Sequence, residues 1–174
     1  TYFGAPGTDG DEKLGLHGRY STLPADAVCD LSRWEGDEYI LEITAKVREA
    51  ELFSEKLTLT RSITSRIGSN ELVITDTVRN NGFESTPFTL CYHMNFGFPL
   101  LTGESELHIT ATGINPYTDH ARSGMHEYFK MEDPIHGFEE MDFLHSLASD
   151  DKGYAHACLA NRTAEQAGYD MLDI

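Results

Sequence analysis

The chain has 174 residues, of which 40% are hydrophobic, and its 29 acidic and 13 basic residues give a formal net charge of -16 at pH 7. A chain of this length can bury one core, so we expect a single domain. The negative charge would repel phosphate backbones and anionic membranes, which argues against nucleic-acid and membrane partners. A Gly-rich beginning and an alternating end at residues 171–174 favour an internal piece of a larger domain.

The cysteines are odd in number, lie far apart and form no CxxC pair: Cys29, Cys91 and Cys158. The spacing predicts neither a disulfide framework nor a structural zinc site, and a reducing cytoplasm is the compartment that fits it. No apolar run approaches the length of a membrane span.

The first half of the chain is dominated by alternating apolar and polar residues. Residues 1–25 are rich in Gly, Pro and Asp, which predicts a loop that ends near Arg19. Residues 39–47 and 55–67 alternate with a period of two and are rich in β-formers, so each predicts a strand. A turn is predicted at residues 67–70, after which residues 71–79 resume the alternation and complete a long hairpin.

The second half continues this pattern less regularly. A turn at residues 80–82 is followed by a predicted strand at 86–96, and another strand is predicted at 106–112. We also expect residues 154–160 to pair with 168–174. No apolar stripe of helical period and length is present. The fold class predicted is therefore all-β.

Residues 114–149 form a long polar segment that interrupts the strand pattern. It could contain a short helical turn around residues 122–131. Its histidines are predicted to be solvent-facing loop residues, because their spacing matches no compact metal motif: His120, His126, His136 and His145. We therefore predict no metal site and no cofactor.

Two short motifs combine histidine with residues that can bind a sugar. GLHGR occupies residues 15–19, and LCYHMNFGFPL occupies residues 90–100, with DTVRN at residues 76–80 between them. In this order they resemble the galactose mutarotase-like proteins, and most closely their aldose 1-epimerase-like branch. The resemblance implies a large antiparallel β-sandwich, a supersandwich of about twice this length, of which residues 1–174 would be the central part, incomplete at both ends.

The resemblance also implies a reaction and roles for individual residues. Mutarotation removes the proton of the anomeric hydroxyl and protonates the ring oxygen, so that the ring opens and closes on its other face. A histidine, with an unperturbed pKa of ~6.5, can donate and recover that proton. By similarity His93 is the general acid, and His17 would hydrogen-bond the ring oxygen or a neighbouring hydroxyl. Arg19 and Asn95 would bind sugar hydroxyls.

The expected general base is a glutamate near the C-terminus of the complete domain, so none is assigned in this chain. Better-known epimerases have an Asn before the catalytic histidine, whereas here Tyr92 precedes His93, and the floor of the pocket is expected to differ. The partner implied is a small-molecule sugar. The oligomeric state is left open.

Plainer interpretations of the same residues remain open. Arg19 could form a structural ion pair with one of the many carboxylates, and Asn95 could cap a turn. The sole tryptophan, Trp34, is expected to pack in the core or at its rim. For the whole chain, the alternatives to the isomerase are a non-catalytic carbohydrate-binding protein of the same fold and a cupin-like metal enzyme. The latter is disfavoured because no close His-x-His pair with a following Glu is present.

Overall fold

The structure is a computed structural model and describes residues 4–50 and 55–161. The chain divides into two compact units, Thr1–Tyr92 and His93–Ile174. Every strand pairing in the described residues is antiparallel, and one α-helix is present there. The all-β prediction is therefore confirmed. None of the helices in the described ranges is long and apolar enough to cross a membrane.

The first unit begins with a small hairpin inside the segment predicted to be a loop. Strand β1 (Gly7–Asp9) pairs with β2 (Glu12–Leu14), and Leu14 is buried. The prediction of a continuous loop over residues 1–25 is wrong at this point, because strands of three residues are too short to show a period of two in the sequence.

A five-stranded sheet forms the body of the first unit. Its strands are β3 (Asp26–Asp30), β4 (Arg33–Glu35), β5 (Glu38–Ala50), β6 (Lys56–Arg66) and β7 (Val73–Asn80). The order is β3-β5-β6-β7, and β4 also pairs with β5 through a two-residue loop in which Gly36 has a φ of 63°. The predicted strands at 39–47, 55–67 and 71–79 and the hairpin turn at 67–70 are confirmed.

One face of this sheet carries its buried leucines, and we call it the Leu59 face. Leu57 and Leu59 of β6 are 3% and 5% exposed. Because side chains alternate along a strand, every second residue shares this face. The register places the following residues on it: Glu49, Val47, Ala45 and Ile43 of β5; Leu57, Leu59, Arg61 and Ile63 of β6; Asn80, Val78, Asp76 and Ile74 of β7. Acidic and basic groups therefore lie on the face that also buries leucine.

Residues 86–96, predicted as a strand, pair with none of the strands in the part of the chain that the structure describes. A strand requires a ladder of hydrogen bonds with a neighbour, and this segment forms none with the described strands. Pro87 within it also has no N–H to donate. The alternation in the sequence indicates a preference for extended backbone, but it does not indicate a partner strand.

The second unit contains two pairs of short strands. They are β8 (Ser105–Ile109), β9 (Ala111–Pro116), β10 (Phe143–Leu147) and β11 (Ala157–Asn161), with β8 paired to β11 and β9 to β10. The single strand predicted at 106–112 is divided at Thr110. Its N–H donates to His156 (3.2 Å) and its carbonyl accepts from Ala148 (2.9 Å), so the chain changes its partner strand there.

The rest of the second unit differs from expectation in its details. Residues 154–160 contribute β11, but residues 168–174, their predicted partner, lie outside the described residues. Helix α1 (Asp119–Ser123) begins earlier than the predicted helical turn because Thr118 caps it, its Oγ1 accepting from the Ala121 N–H at 3.1 Å. A 3₁₀ turn at Met125–Glu127 follows. The polar segment therefore contains helical structure, as predicted, but this structure begins at residue 119 and ends at residue 127 instead of covering residues 122–131.

Candidate functional site

His17 lies in a tight turn of the first unit. The Gly18 N–H donates to the Gly15 carbonyl at 3.1 Å, and the His17 N–H donates to the Gly4 carbonyl at 2.8 Å. His17 is half-buried and has a φ of 62°. Such left-handed backbone is uncommon for a residue with a side chain, although His, Asn and Asp adopt it more often than most. Strain of this kind is concentrated at functional sites, which favours a functional interpretation of His17.

Arg19, two residues further on, is surrounded by carboxylates. Its Nη1 lies 2.9 Å from Glu49 Oε1 and 3.6 Å from Glu55 Oε2, and its Nε donates to Glu12 Oε1 at 3.2 Å. The Arg19 side chain is 12% exposed and that of Glu49 only 1%. The structural ion pair, which the sequence analysis gave as the alternative interpretation of Arg19, is therefore present. The binding of sugar hydroxyls by Arg19 stays a prediction.

We call Arg19 and its carboxylate partners Glu12, Glu49 and Glu55 the Arg19 cluster. Its contacts determine the charge of the side chains as well as their positions. Hydrogen bonding to Glu12 and then to Glu49 raises the pKa of Arg19, which stays protonated. In return, the hydrogen bond from Arg19 lowers the pKa of Glu12. Because Glu49 belongs to the Leu59 face, the ion pair attaches the loop that contains His17 to that face of the sheet.

His93 and Asn95 lie at the beginning of the second unit, and both are exposed. The segment ends in a turn in which the Leu101 N–H donates to the Gly97 carbonyl at 2.9 Å. The structure thus brings His17 close to Arg19 in one turn and His93 close to Asn95 in one segment. The two pairs belong to different units, and their convergence on one sugar stays a prediction.

Arg61, Asp76 and Tyr92, to which the sequence analysis gave no role in binding or catalysis, form a cluster that ends at the residue before His93. Arg61 donates from Nε and Nη2 to the two carboxylate oxygens of Asp76, at 2.8 and 2.7 Å. The Tyr92 hydroxyl donates to Asp76 Oδ2 at 2.8 Å, and the Arg61 guanidinium lies 5.7 Å from the centre of the Tyr92 ring. We call these residues the Arg61–Asp76–Tyr92 cluster. It lies on the Leu59 face.

Of the histidines in the polar segment, His145 is wrongly predicted as a loop residue at solvent. It lies on β10 opposite Ile114, 5.7 Å from the Tyr128 ring, and its Nδ1 is buried with no hydrogen-bond partner in the described residues. The same prediction is wrong for His120, which lies in helix α1 and is half-buried, with its Nδ1–H donating to the Glu139 carbonyl at 2.8 Å. His126 and His136 are exposed, as predicted.

Burial of His145 predicts a measurable loss of stability in mild acid. Burial lowers its pKa in the folded protein, so the unfolded chain binds the proton more readily and stability falls as the pH drops below ~6.5. We expect His145→Leu to make the free energy of unfolding less dependent on pH between 7 and 5, measured by urea denaturation. His126→Leu, at an exposed histidine, is the control and should keep the wild-type dependence. An unchanged dependence in His145→Leu would contradict the assignment.

Trp34 was expected to pack in the core or at its rim, but it lies on β4 with 67% of its surface exposed, so it does not pack in the core. It contacts Tyr39 edge to face, with ring centres 5.1 Å apart. The pairing of β4 with β5 places the two rings opposite each other across the strands.

Within residues 4–50 and 55–161, no group of three or more His, Cys, Asp or Glu side chains could hold a metal ion. The three cysteines are free thiols. The side chains of the described site residues can transfer protons through imidazole and form hydrogen bonds through guanidinium, amide and carboxylate groups.

The fold is that of an aldose 1-epimerase-like protein. A crystal structure of a "putative aldose 1-epimerase" from Klebsiella pneumoniae subsp. pneumoniae MGH 78578 matches it with a TM-score of 0.86 and 25% sequence identity. The match covers 94% of this chain and 42% of that protein, so this chain spans less than half of the neighbour's length.

The chain belongs to the family described as a domain of unknown function, DUF4432, whose model matches residues 1–170. A comparison with curated proteins found no match.

Proposed function

We propose that this chain is the central part of a single β-sandwich domain that acts as an isomerase of the aldose 1-epimerase type on a free sugar. His93 donates a proton to the ring oxygen as the general acid, and a base outside this chain removes the proton of the anomeric hydroxyl. The bond between C1 and the ring oxygen breaks, the open chain rotates about C1–C2, and the reverse transfers close the ring as the other anomer. Ring closure reverses both proton transfers and re-forms the bond between C1 and the ring oxygen, so the acid and the base return to their starting protonation states.

His17, Arg19 and Asn95 bind the sugar in this proposal. His17 hydrogen-bonds the ring oxygen or a neighbouring hydroxyl, Arg19 donates to hydroxyls in a fixed fork, and Asn95 offers both a donor and an acceptor. No cofactor is required, since imidazole alone supplies the acid. The three free thiols fit the reducing cytoplasm that we propose as the compartment.

One observation supports this assignment above the others. Glu49 holds Arg19, and with it the turn of His17, against the Leu59 face, while Asp76 on the same face binds Tyr92, the residue before His93. Glu49 is four residues along β5 from Ala45, which pairs with Arg61, and this separation is about 13 Å along a strand. The turn that contains His17 and the residue that precedes His93 are therefore both attached to one face of one sheet.

Polarimetry on a panel of freshly dissolved aldoses tests the proposed function. The complete protein should accelerate the approach to the anomeric equilibrium of at least one sugar, in proportion to protein concentration and above the spontaneous rate. Calorimetric titration of the same sugars is the companion measurement. Binding without acceleration would identify a non-catalytic carbohydrate-binding protein of the same fold, and neither binding nor acceleration would contradict a sugar site.

A further inference from the structure

We propose that Asp76 is a positioning residue for His93 and that it acts through the hydroxyl of Tyr92. The inference rests on the proposed function, because it concerns the histidine to which that function gives the acid role. It adds to the site two residues that do not touch the sugar, Asp76 and Arg61, and it gives Tyr92 a function as the link.

The geometry of the Arg61–Asp76–Tyr92 cluster is that of a fixed acceptor. The Asp76 side chain is 4% exposed, and Arg61 binds both of its oxygens in a two-point contact. Such a contact sets the plane of the carboxylate as well as its position. The Tyr92 hydroxyl donates to Asp76 Oδ2, and the position of this oxygen is already determined by the pairing of β6 with β7.

Electrostatics keep this acceptor charged. The hydrogen bond from Arg61, and after it that from Tyr92, lowers the pKa of Asp76, so the carboxylate is ionised at neutral pH. Burial and the hydrogen bond to Asp76 raise the pKa of Tyr92, so its hydroxyl keeps the proton that it donates. A hydrogen bond to an ionised acceptor is about twice as strong as a neutral one, which suits a contact that must hold a segment in place.

His93 is covalently the next residue after Tyr92. The contact of Tyr92 with Asp76 supplies a fixed point one residue away. Catalytic groups need placement to within about 0.5 Å, and a displacement of about 1 Å can reduce a rate by about 100-fold.

The decisive variant is Tyr92→Phe in the complete protein, because it keeps the ring beside Arg61 and removes only the hydroxyl. We expect kcat for the accelerated sugar to fall by about 10- to 100-fold, while KM changes by less than about 2-fold since the residues that bind hydroxyls are untouched. The matched control is Tyr39→Phe, at a tyrosine that contacts Trp34 instead, and it should keep wild-type kcat and KM.

A second measurement does not depend on catalysis. With ¹³C-labelled histidine, the His93 resonance is assigned by its absence in His93→Asn, and its chemical shift and linewidth are recorded at one pH. Tyr92→Phe should change the chemical shift and linewidth of His93, whereas Tyr39→Phe should not. A purely structural role for the cluster would lower stability and leave the His93 resonance unchanged.

These two measurements separate failure of the inference from failure of the proposed function. If the wild-type protein accelerates no sugar, the function is overturned, and the NMR measurement alone decides whether Asp76 and Tyr92 position His93. If Tyr92→Phe retains wild-type kcat and the wild-type His93 resonance, the positioning role is overturned while the function stands. Asp76→Asn, which removes the charge of the acceptor, should reproduce the effects of Tyr92→Phe on both measurements.

Discussion

Replacing His93 by Asn in the complete protein should reduce catalysed interconversion of anomers to the spontaneous rate. An amide of similar size cannot supply a proton to the ring oxygen, and loss of a general acid typically costs about 10²–10⁴-fold in rate. Because His93 is exposed, the free energy of unfolding should change by less than about 0.5 kcal/mol. Polarimetry gives the rate, and urea denaturation confirms that the fold is retained.

Two companion variants show whether this effect is specific to His93. His126→Asn changes a histidine whose side chain is 76% exposed and that has no role in the proposal, so its rate should equal that of the wild type. His17→Asn preserves the turn, since Asn also tolerates the left-handed backbone found there, and it should lower the rate through the lost sugar contact. Equal rates for wild type and His93→Asn would reject the role of His93 as the acid.

The central meander could be predicted because the signal for it is local. Alternation of β-branched and polar residues, and a turn signal at residues 67–70, determine β6, β7 and their register without reference to the rest of the chain. The same register predicts the Arg61–Asp76 pair, because those two residues are equidistant from the centre of the turn and face each other. A cross-strand charge pair was thus available in the sequence and was missed.

Other features could not be predicted because they depend on distant partners. The strand expected at 86–96 lacks a neighbour among the described strands, and no local pattern reveals that. The contact of Arg19 with Glu49 joins residues 30 positions apart. With 29 acidic residues in the chain, the sequence could suggest an ion pair for Arg19 but could not select its partners. The burial of His145 was missed for a related reason, since β10 lies within a polar segment whose alternation is weak.

The Arg19 cluster yields the largest expected change in stability. Replacing Arg19 by Met retains most of the apolar side chain and removes the guanidinium that contacts Glu49, whose side chain is 1% exposed. Removing one partner of a buried ion pair costs about 3–5 kcal/mol, because a charge is left uncompensated in the interior. Urea denaturation at pH 7 should show a loss of this size in the free energy of unfolding.

A matched variant and a pH series distinguish this mechanism from a general effect of losing an arginine. Arg33 also contacts two carboxylates, Glu35 and Glu42, but its side chain is 48% exposed. Arg33→Met should therefore lose far less stability than Arg19→Met, since water screens such pairs.

The pH dependence of stability gives a second test. In the wild type, Arg19 lowers the pKa of Glu12. The stability that this ion pair contributes is present above the unfolded pKa of ~4.3 and disappears as the pH falls through the pKa of Glu12 in the folded protein. The stability difference between wild type and Arg19→Met should therefore be greatest near neutrality and shrink as the pH falls through the lowered pKa of Glu12. A difference that stays constant with pH would show that lost packing, and not the uncompensated carboxylates, causes the destabilisation.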